Sequence, residues 1–391
     1  MGMCSRKVYS VPVGPYHPAL EEMAFYKVYV EGERIVDALI KPGFNHRGIE
    51  KLAMRRSYRR NVQLFERVCG ICSAAHTTAY CVAVERCLKI DVPKRAQYIR
   101  VVQAEANRIH SHLLWFGVAM HVIGFDTLFM HSWAIREDIL DVVETLTGNR
   151  VNYSVNTIGG VRRDITPEMG KYILEKLDKV EKGTKYLIRA VKEDPTIKAR
   201  TKEVGVLTKE EARKYCVVGP TARASGIEED IRRADPHINY EDFDFEVCVE
   251  DTCDVYARIM VRLRETLESI KIVRQAIKNL PEGPLMAELT VPRPNEDIGR
   301  TEAPRGELIY YIRSNYTNVP ERVKLRTPTF VNLPSTKPML IGDKLADAPQ
   351  IIVSIDPCLT CNDRLTIIDA RTGKKKTMLL DEIIRRRDKI W

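Results

Sequence analysis

Two Cys-x-x-Cys pairs stand near opposite ends of this 391-residue chain, Cys69 with Cys72 and Cys358 with Cys361. Within each pair the spacing lets two thiols reach one metal ion, and folding that joins the pairs would surround one site with four soft thiolates. Such a set selects zinc, an iron–sulfur cluster or another thiophilic metal over magnesium or calcium. The sequence therefore predicts a metal site that only the folded chain assembles.

Three kinds of metal site are possible, and a fourth possibility is that the cysteines are unrelated and share no site. A structural zinc site is the common Cys4 arrangement, but its pairs usually lie about 15–20 residues apart. Four thiolates also suffice for an iron–sulfur cluster, whose ligands likewise tend to bunch in sequence. Here nearly the whole chain separates the pairs. A redox metal centre held between the first and last parts of one large domain is the third interpretation.

The residues around the thiols resemble the two signatures of the [NiFe]-hydrogenase large subunit. Residues 67–76 match R-x-C-G-x-C-x-x-x-H, and residues 356–364 match D-P-C-x-x-C-x-x-R. Other segments resemble the membrane-bound, energy-converting branch of that family, which is related to the quinone-site subunit of respiratory complex I. These segments are residues 14–18, 45–50, 108–112, 148–153, 159–163, 219–225 and 303–307. The complex I relative lacks the four metal cysteines, which are all present here.

The resemblance implies a nickel–iron centre. Cys69 and Cys358 would be terminal nickel ligands, and Cys72 and Cys361 would bridge nickel to iron. The iron would carry carbon monoxide and cyanide ligands. A centre of this kind splits dihydrogen heterolytically, with a nearby base taking the proton.

Side chains around this centre are implied in the same way. His76 follows Cys72 by four residues, so a helix beginning there would put both side chains on one face. The family places this histidine beside a bridging thiolate, where it would tune the metal. The alternative is a buried histidine with a purely structural role. The family also places Arg305 over the metal, near one cyanide, although an ordinary ion pair is the alternative. The hydroxyl of Ser335, or else of Thr336, would donate to the other cyanide.

A proton route needs a carboxylate beside the thiolates. Glu21 is the favoured residue and Glu22 the next, because they follow a segment that resembles the family's proton-accepting loop; a solvated surface pair is the alternative. Asp356, next to the second pair, is a further candidate. Glu50 matches a carboxylate that can bind magnesium in related enzymes.

The other six cysteines form no further Cys-x-x-Cys pair. Electrons must therefore leave through another protein, and the family implies a small subunit with a proximal [4Fe–4S] cluster. It further implies the remaining hydrophilic and membrane subunits of a complex-I-like assembly, with ferredoxin as an indirect electron carrier.

Composition limits the location and the partners. The chain is 44% hydrophobic and long enough for a large core. Few cysteines and no signal peptide favour a reducing cytoplasm. The apolar run at residues 113–125 is too short to span a membrane, so we expect a peripheral subunit at the cytoplasmic face of the cell membrane. The basic tail lacks interleaved aromatic residues, which argues against a nucleic acid partner.

The pattern along the chain predicts one α+β domain, mainly α, in which a long helical bundle carries small antiparallel sheets. Residues 1–45 would form an N-terminal sheet, with strands at 7–13 and 24–40. Residues 46–195 would form a helical core with the first cysteine pair, and residues 196–246 an exposed, charged insert. Residues 247–364 would give a long helix, short strands near 285–291 and 307–313, and the second pair.

Residues 365–391 form a C-terminal tail that alternates like a hairpin around Thr372 and Gly373. Many hydrogenase large subunits are cut shortly after the last metal cysteine, which here would fall after Arg364. The chain is therefore either a precursor or a member that keeps its tail, and an ordered hairpin would favour retention.

The sequence as a whole predicts the catalytic large subunit of an energy-converting [NiFe]-hydrogenase. The resemblance implies that it would couple ferredoxin oxidation and proton reduction to ion pumping, or run in reverse. A complex-I-like or sulfur-reducing subunit without hydrogen chemistry is the first alternative, and a scaffold stabilised by a Cys4 zinc site is the second.

Overall fold

The computed structural model describes residues 7–17, 20, 22–362, 367–368, 371–373 and 375–376. Over these residues the chain is mainly helical, with small antiparallel sheets, which confirms the predicted fold class.

The N-terminal sheet has three antiparallel strands, β1 (Val8–Val13), β2 (Phe25–Glu31) and β3 (Arg34–Lys41). Alternate residues of β2 are buried, as expected for a sheet with one face on the core. Gly32, at φ 63°, makes the predicted turn between β2 and β3.

Five helices follow, as the apolar periodicity predicts. They are α1 (Ile49–Ala53), α2 (Tyr58–Glu66), α3 (Ser73–Leu88), α4 (Lys94–Ile123) and α5 (Asp126–Thr147). The predicted apolar face of α4 is buried over its whole length, from Ile99 to Phe116. Helix α5 ends at Gly148, whose φ of 78° closes the helix in the left-handed conformation.

A short hairpin follows, with two-residue strands β4 (Asn156–Thr157) and β5 (Gly160–Val161). It leads into the long amphipathic helix α6 (Pro167–Glu193). The side chain of Thr166 caps the start of α6.

The prediction of an exposed insert at residues 196–246 is wrong. This segment contains α7 (Pro195–Thr201), α8 (Lys209–Lys214), α9 (Pro220–Arg223) and α10 (Ile231–Ala234). Many of its residues are buried, including Arg223, Asp230 and Arg232. Their charges meet partners inside the protein, so a charged sequence did not mean a solvated one.

Helix α11 (Val255–Lys278) ends before Pro281, as predicted, and a second sheet follows. Its antiparallel strands are β6 (Asn295–Ala303), β7 (Gly306–Ser314) and β8 (Arg322–Arg326). The strand predicted near 285–291 is wrong, because this segment makes only a single bridge, from Met286 to Gly160. Alternating apolar residues form a strand only where a neighbouring edge pairs with them.

Three short helices complete the core, α12 (Pro328–Asn332), α13 (Thr336–Leu340) and α14 (Ala348–Ser354). In the tail, β9 (Ile367–Ile368) pairs with β10 (Lys375–Lys376), so the predicted hairpin is present there. The possible cut after Arg364 lies outside the described residues.

The core brings the two ends of the chain together. Helix α4 packs between α5 and α11, and α3 packs on the sheet of β6 and β7. Gly299 permits this contact, since a Cβ there would lie 2.4 Å from the Ala79 carbonyl oxygen on α3. Within the described part of the chain, no helix has both the length and the hydropathy needed to cross a membrane.

Candidate metal centre

The four cysteines of the two pairs meet at one buried point. Their sulfur atoms all lie within 4.8 Å of one another. The Sγ of Cys358 is 3.3 Å from that of Cys69 and 2.8 Å from that of Cys361. Residues almost 290 positions apart therefore offer one set of sulfur donors.

The first pair lies where α2 gives way to α3. The backbone amides of Ile71 and Cys72 both donate to the Cys69 sulfur, each over 3.4 Å. Helix α3 begins at Ser73, so its positive N-terminal end faces the same loop. The loop therefore directs two amide hydrogens and the positive end of a helix toward the first pair.

The second pair lies on the loop after α14. The Cys358 amide donates to the Thr329 hydroxyl over 3.0 Å, and Thr327 donates to the Asn362 side chain over 2.7 Å. Asp356 adopts φ 56°, an unusual conformation for a residue with a side chain. The loop is thus held from the segment around α12 and has little freedom to move.

One arginine joins the two loops. The Arg47 Nη2 donates to the carbonyl of Val68, over 2.7 Å, and to that of Thr360, over 2.8 Å. Val68 precedes the first pair and Thr360 lies inside the second. Sequence analysis assigned Arg47 no role, although it falls within the segment 45–50 that carried the family resemblance.

The donor set fits a soft metal. Hydrogen bonds from Cys358, Cys361 and Cys69 hold the pKa of the Cys72 thiol well below its usual range, whereas burial raises that of Cys361. Four buried thiols this close cannot all ionise without a cation among them, because like charges oppose each other's ionisation. A thiophilic metal would remove that conflict and match the ligand type.

His76 spans from the sulfur cluster to the second sheet. Its Nε2 lies 3.4 Å from the Cys361 sulfur, and its Nδ1 lies 2.8 Å from the hydroxyl of Tyr310 on β7. The imidazole is buried, with 1% of its surface exposed. Sequence reasoning expected the contact with a thiolate but missed Tyr310, which carried no signal beyond its place on a buried strand.

Arg305 and Asp356 form a buried ion pair of 2.6 Å beside the thiols. Arg305 also donates to the Asp356 carbonyl, over 2.9 Å, and to Ser111 on α4, over 3.3 Å. Burial opposes its charge, yet Asp356 and the cysteine sulfurs hold the pKa of Arg305 well above its ordinary value. Burial raises the pKa of Asp356, an effect that Arg305 partly offsets.

Glu22 reaches the second pair through Thr360. The Thr360 hydroxyl donates to one carboxylate oxygen over 2.5 Å and its amide to the other over 2.6 Å. The same hydroxyl lies 3.6 Å from the Cys358 sulfur. A thiol proton could therefore pass through one hydroxyl to this carboxylate. Glu21, the favoured residue, lies outside the described residues.

The remaining predicted site residues have contacts elsewhere. The Glu50 carboxylate accepts from the Leu325 amide over 3.0 Å. The Ser335 hydroxyl donates to the Asn332 carbonyl and that of Thr336 to the Leu333 carbonyl. A magnesium site at Glu50 and a cyanide donor at Ser335 stay predictions.

Comparison with known proteins finds relatives among hydrogenases and respiratory-chain subunits. The sequence profile described as "Respiratory-chain NADH dehydrogenase, 49 Kd subunit" matches residues 122–296 and 285–364, and that described as "Nickel-dependent hydrogenase" matches residues 47–128. The "Carbon monoxide-induced hydrogenase" of Rhodospirillum rubrum is 41% identical over 91% of this chain and 99% of its own length. The "Membrane-bound hydrogenase subunit alpha" of Pyrococcus furiosus is 42% identical over 96% of this chain and 91% of its own length.

A solved structure gives the same picture of the fold. A chain from the structure of "the membrane-bound sulfane sulfur reductase (MBS), an archaeal respiratory membrane complex" superposes with a TM-score of 0.87. It is 30% identical, and the match covers 93% of this chain and 100% of that one.

Proposed function

Because this chain belongs to the family of energy-converting [NiFe]-hydrogenase large subunits and their complex I relatives, we propose that it is the catalytic subunit of a membrane-associated [NiFe]-hydrogenase. It would reduce protons to H2 or oxidise H2. The observation that carries this proposal is the meeting of four buried sulfurs with Arg305, His76 and the chain from Cys358 through Thr360 to Glu22.

In this proposal Cys69, Cys72, Cys358 and Cys361 would together hold a nickel–iron centre with carbon monoxide and cyanide ligands. The bound centre would supply heterolytic cleavage of dihydrogen. The protein's own part is to keep the four sulfurs in place, through Arg47 and the amides of the two loops, and to exclude water around them.

The surrounding side chains would donate hydrogen bonds to the centre and accept its proton. Arg305, fixed by Asp356, would donate hydrogen bonds to the bound centre, and the Ser335 hydroxyl would be a second donor to it. His76 would donate or accept at the Cys361 sulfur in a tautomer set by Tyr310. Glu22 would receive the proton that leaves Cys358 through the Thr360 hydroxyl.

The partners follow from what the chain offers. Among its described residues, the four cysteines are the one group of three or more potential metal ligands within reach of each other. Electrons would therefore pass to a small subunit with a proximal [4Fe–4S] cluster, and from there to ferredoxin. Its relatives' names support assembly with other subunits into a membrane complex. We propose that this complex is complex-I-like and translocates ions, and that this chain would lie peripherally on its cytoplasmic side.

Metal analysis of the purified complex tests the proposal. We expect one nickel and one iron per chain and infrared bands of carbon monoxide and cyanide. Cys361→Ser should lose the nickel, whereas Cys216→Ser, at an exposed cysteine away from the site, should keep it. One zinc and no nickel would contradict the proposal and support the zinc-stabilised scaffold.

A second candidate is a complex-I-like or sulfur-reducing subunit without hydrogen chemistry. The fold of a sulfane sulfur reductase and the match to the 49 kDa profile favour it. A purified complex that reduces sulfur compounds or quinones, but neither evolves nor consumes H2, would decide for this candidate.

A further inference from the structure

A second group of ionisable side chains is buried apart from the thiols. It draws on α4, α9, α10, α11 and β6, and each member has at most 4% of its surface exposed. The group contains the carboxylates of Glu105, Asp230, Glu265 and Glu302 and the guanidiniums of Arg108, Arg223 and Arg232.

Ion pairs connect these seven residues into one network. Glu105 pairs with Arg108 over 3.2 Å and with Arg232 over 3.0 Å, and Arg232 pairs with Asp230 over 2.7 Å.

Arg223 connects Glu265 and Glu302 to Asp230. It lies 2.6 Å from Glu265, 3.0 Å from Glu302 and 3.6 Å from Asp230. The network is therefore continuous from α4 to the end of β6.

Three of the four carboxylates, those of Asp230, Glu265 and Glu302, share the single guanidinium of Arg223. His112 contacts Glu265 over 2.9 Å, but burial lowers the pKa of this imidazole to about 4, so it is neutral near pH 7. An uncompensated charge in a protein interior is costly, and a buried group usually changes its protonation instead. Like charges also oppose each other's ionisation, so one of the three carboxyl groups around Arg223 should keep its proton.

Hydrogen bonding identifies Glu302 as that group. Glu105 accepts hydrogen bonds from Arg108, Arg232, Tyr240 and Ser269. By contrast, Glu302 accepts one long bond of 3.3 Å, from the Ile231 amide, and its Oε1 lies 3.0 Å from the shared guanidinium of Arg223.

The charges that face Glu302 point the same way. They are Arg108 from α4, Arg223 from α9, and Asp230 and Arg232 at α10. Burial raises the pKa of Glu302 to about 7, with Arg223 opposing and Asp230 adding to the rise.

Buried charges lead from Glu302 back to the thiols. Arg108 donates to the backbone carbonyls of Glu302 and Ala303, and Arg305 follows two positions later. On α11, Arg262 lies in the field of both Glu265 and Asp356, the partner of Arg305. In an interior of low dielectric, a change of charge at one end of this series acts on the other.

We propose that Glu302 is a proton-exchanging site coupled to the charge of the metal centre and separate from the Glu22 route. Glu302 would release one proton to solvent when one electron passes to the partner iron–sulfur subunit. It takes one up when the electron returns. The inference rests on the proposed function for the source of the electron.

Glu302→Gln tests this proposal, because glutamine has the shape of the protonated acid. Glu105→Gln is the matched control, since Glu105 is an anion that two arginines require. At pH 6 we expect Glu302→Gln to leave the melting temperature of the full chain unchanged within about 2 °C, and Glu105→Gln to lower it. A Glu302→Gln chain that is destabilised, or does not fold, would overturn the proposal.

Infrared spectroscopy tests the proton directly. The metal-free chain should show a protonated carboxyl band that titrates near pH 7 and is absent in Glu302→Gln. In the assembled complex, the midpoint potential of the metal centre should depend on pH around neutrality, and should lose that dependence in the variant. If no such band titrates, Glu302 holds no proton. If the band titrates but the complex holds no nickel, the proposed function fails instead.

Discussion

Glu22 accepts two hydrogen bonds from Thr360, one from the amide and one from the hydroxyl, across 338 positions of sequence. This contact ties the loop after β1 to the middle of the second cysteine pair. It also places a carboxylate one hydroxyl away from the Cys358 sulfur.

Replacing Glu22 by glutamine should stop proton transfer while keeping the metal site. We expect H2 evolution to fall by roughly a hundredfold or more, the scale of losing a general acid or base, with nickel content unchanged. Glu21→Gln is the matched control and should retain most of its activity. The opposite pattern would return the role to Glu21, as the sequence predicted.

Arg47 should be required to assemble the metal site. Its guanidinium donates to carbonyls of both cysteine loops, so Arg47→Met would leave those carbonyls unpaired and the loops free to separate. We expect nickel occupancy of the purified chain to fall severalfold. Arg60→Met, at an exposed arginine on α2, should leave occupancy unchanged. Equal nickel content in both variants would contradict this role.

The sequence predicted the metal ligands well but not the residues that position them. Spacing and flanking residues pointed to all four cysteines, because both signatures are local patterns. Arg47, Thr360 and Tyr310 act through contacts with residues far away in the sequence, and no local pattern reveals such contacts.

In the fold, too, local patterns predicted some elements and failed for one segment. The N-terminal sheet and helices α4, α5, α6 and α11 follow from periodicity and end signals. The segment 196–246 was misjudged because composition records charge but not pairing. Arg223 has no exposed surface, since three carboxylates from other parts of the chain surround it.

Tyr310 should tune the centre through His76 without holding it. Tyr310→Phe removes the 2.8 Å hydrogen bond at Nδ1 and leaves the ring tautomer unspecified. We expect roughly a tenfold loss of H2 activity, the lower end of effects seen when a ligand's supporting group is removed. Nickel content should be normal, while the infrared bands of the iron ligands shift. Tyr311→Phe, at the half-buried neighbour on β7, is the control, and unshifted bands in both variants would remove the tuning role.

Acid should destabilise the chain well above the pH at which carboxylates protonate. Burial lowers the pKa of His110 to about 3 and those of His112 and His237 to about 4, against an unfolded value near 6.5. Between those limits the unfolded chain binds more protons than the folded one, so stability rises with pH and is lost as pH falls below about 6.5.

Thermal unfolding of the full chain from pH 7.5 to 5 measures this effect. His237→Gln should make the melting temperature less dependent on pH, because one proton-binding difference is gone. His121→Gln, at an exposed histidine, should keep the wild-type slope. A wild-type melting temperature that stays constant over this range would show that the buried histidines already carry their protons in the folded chain.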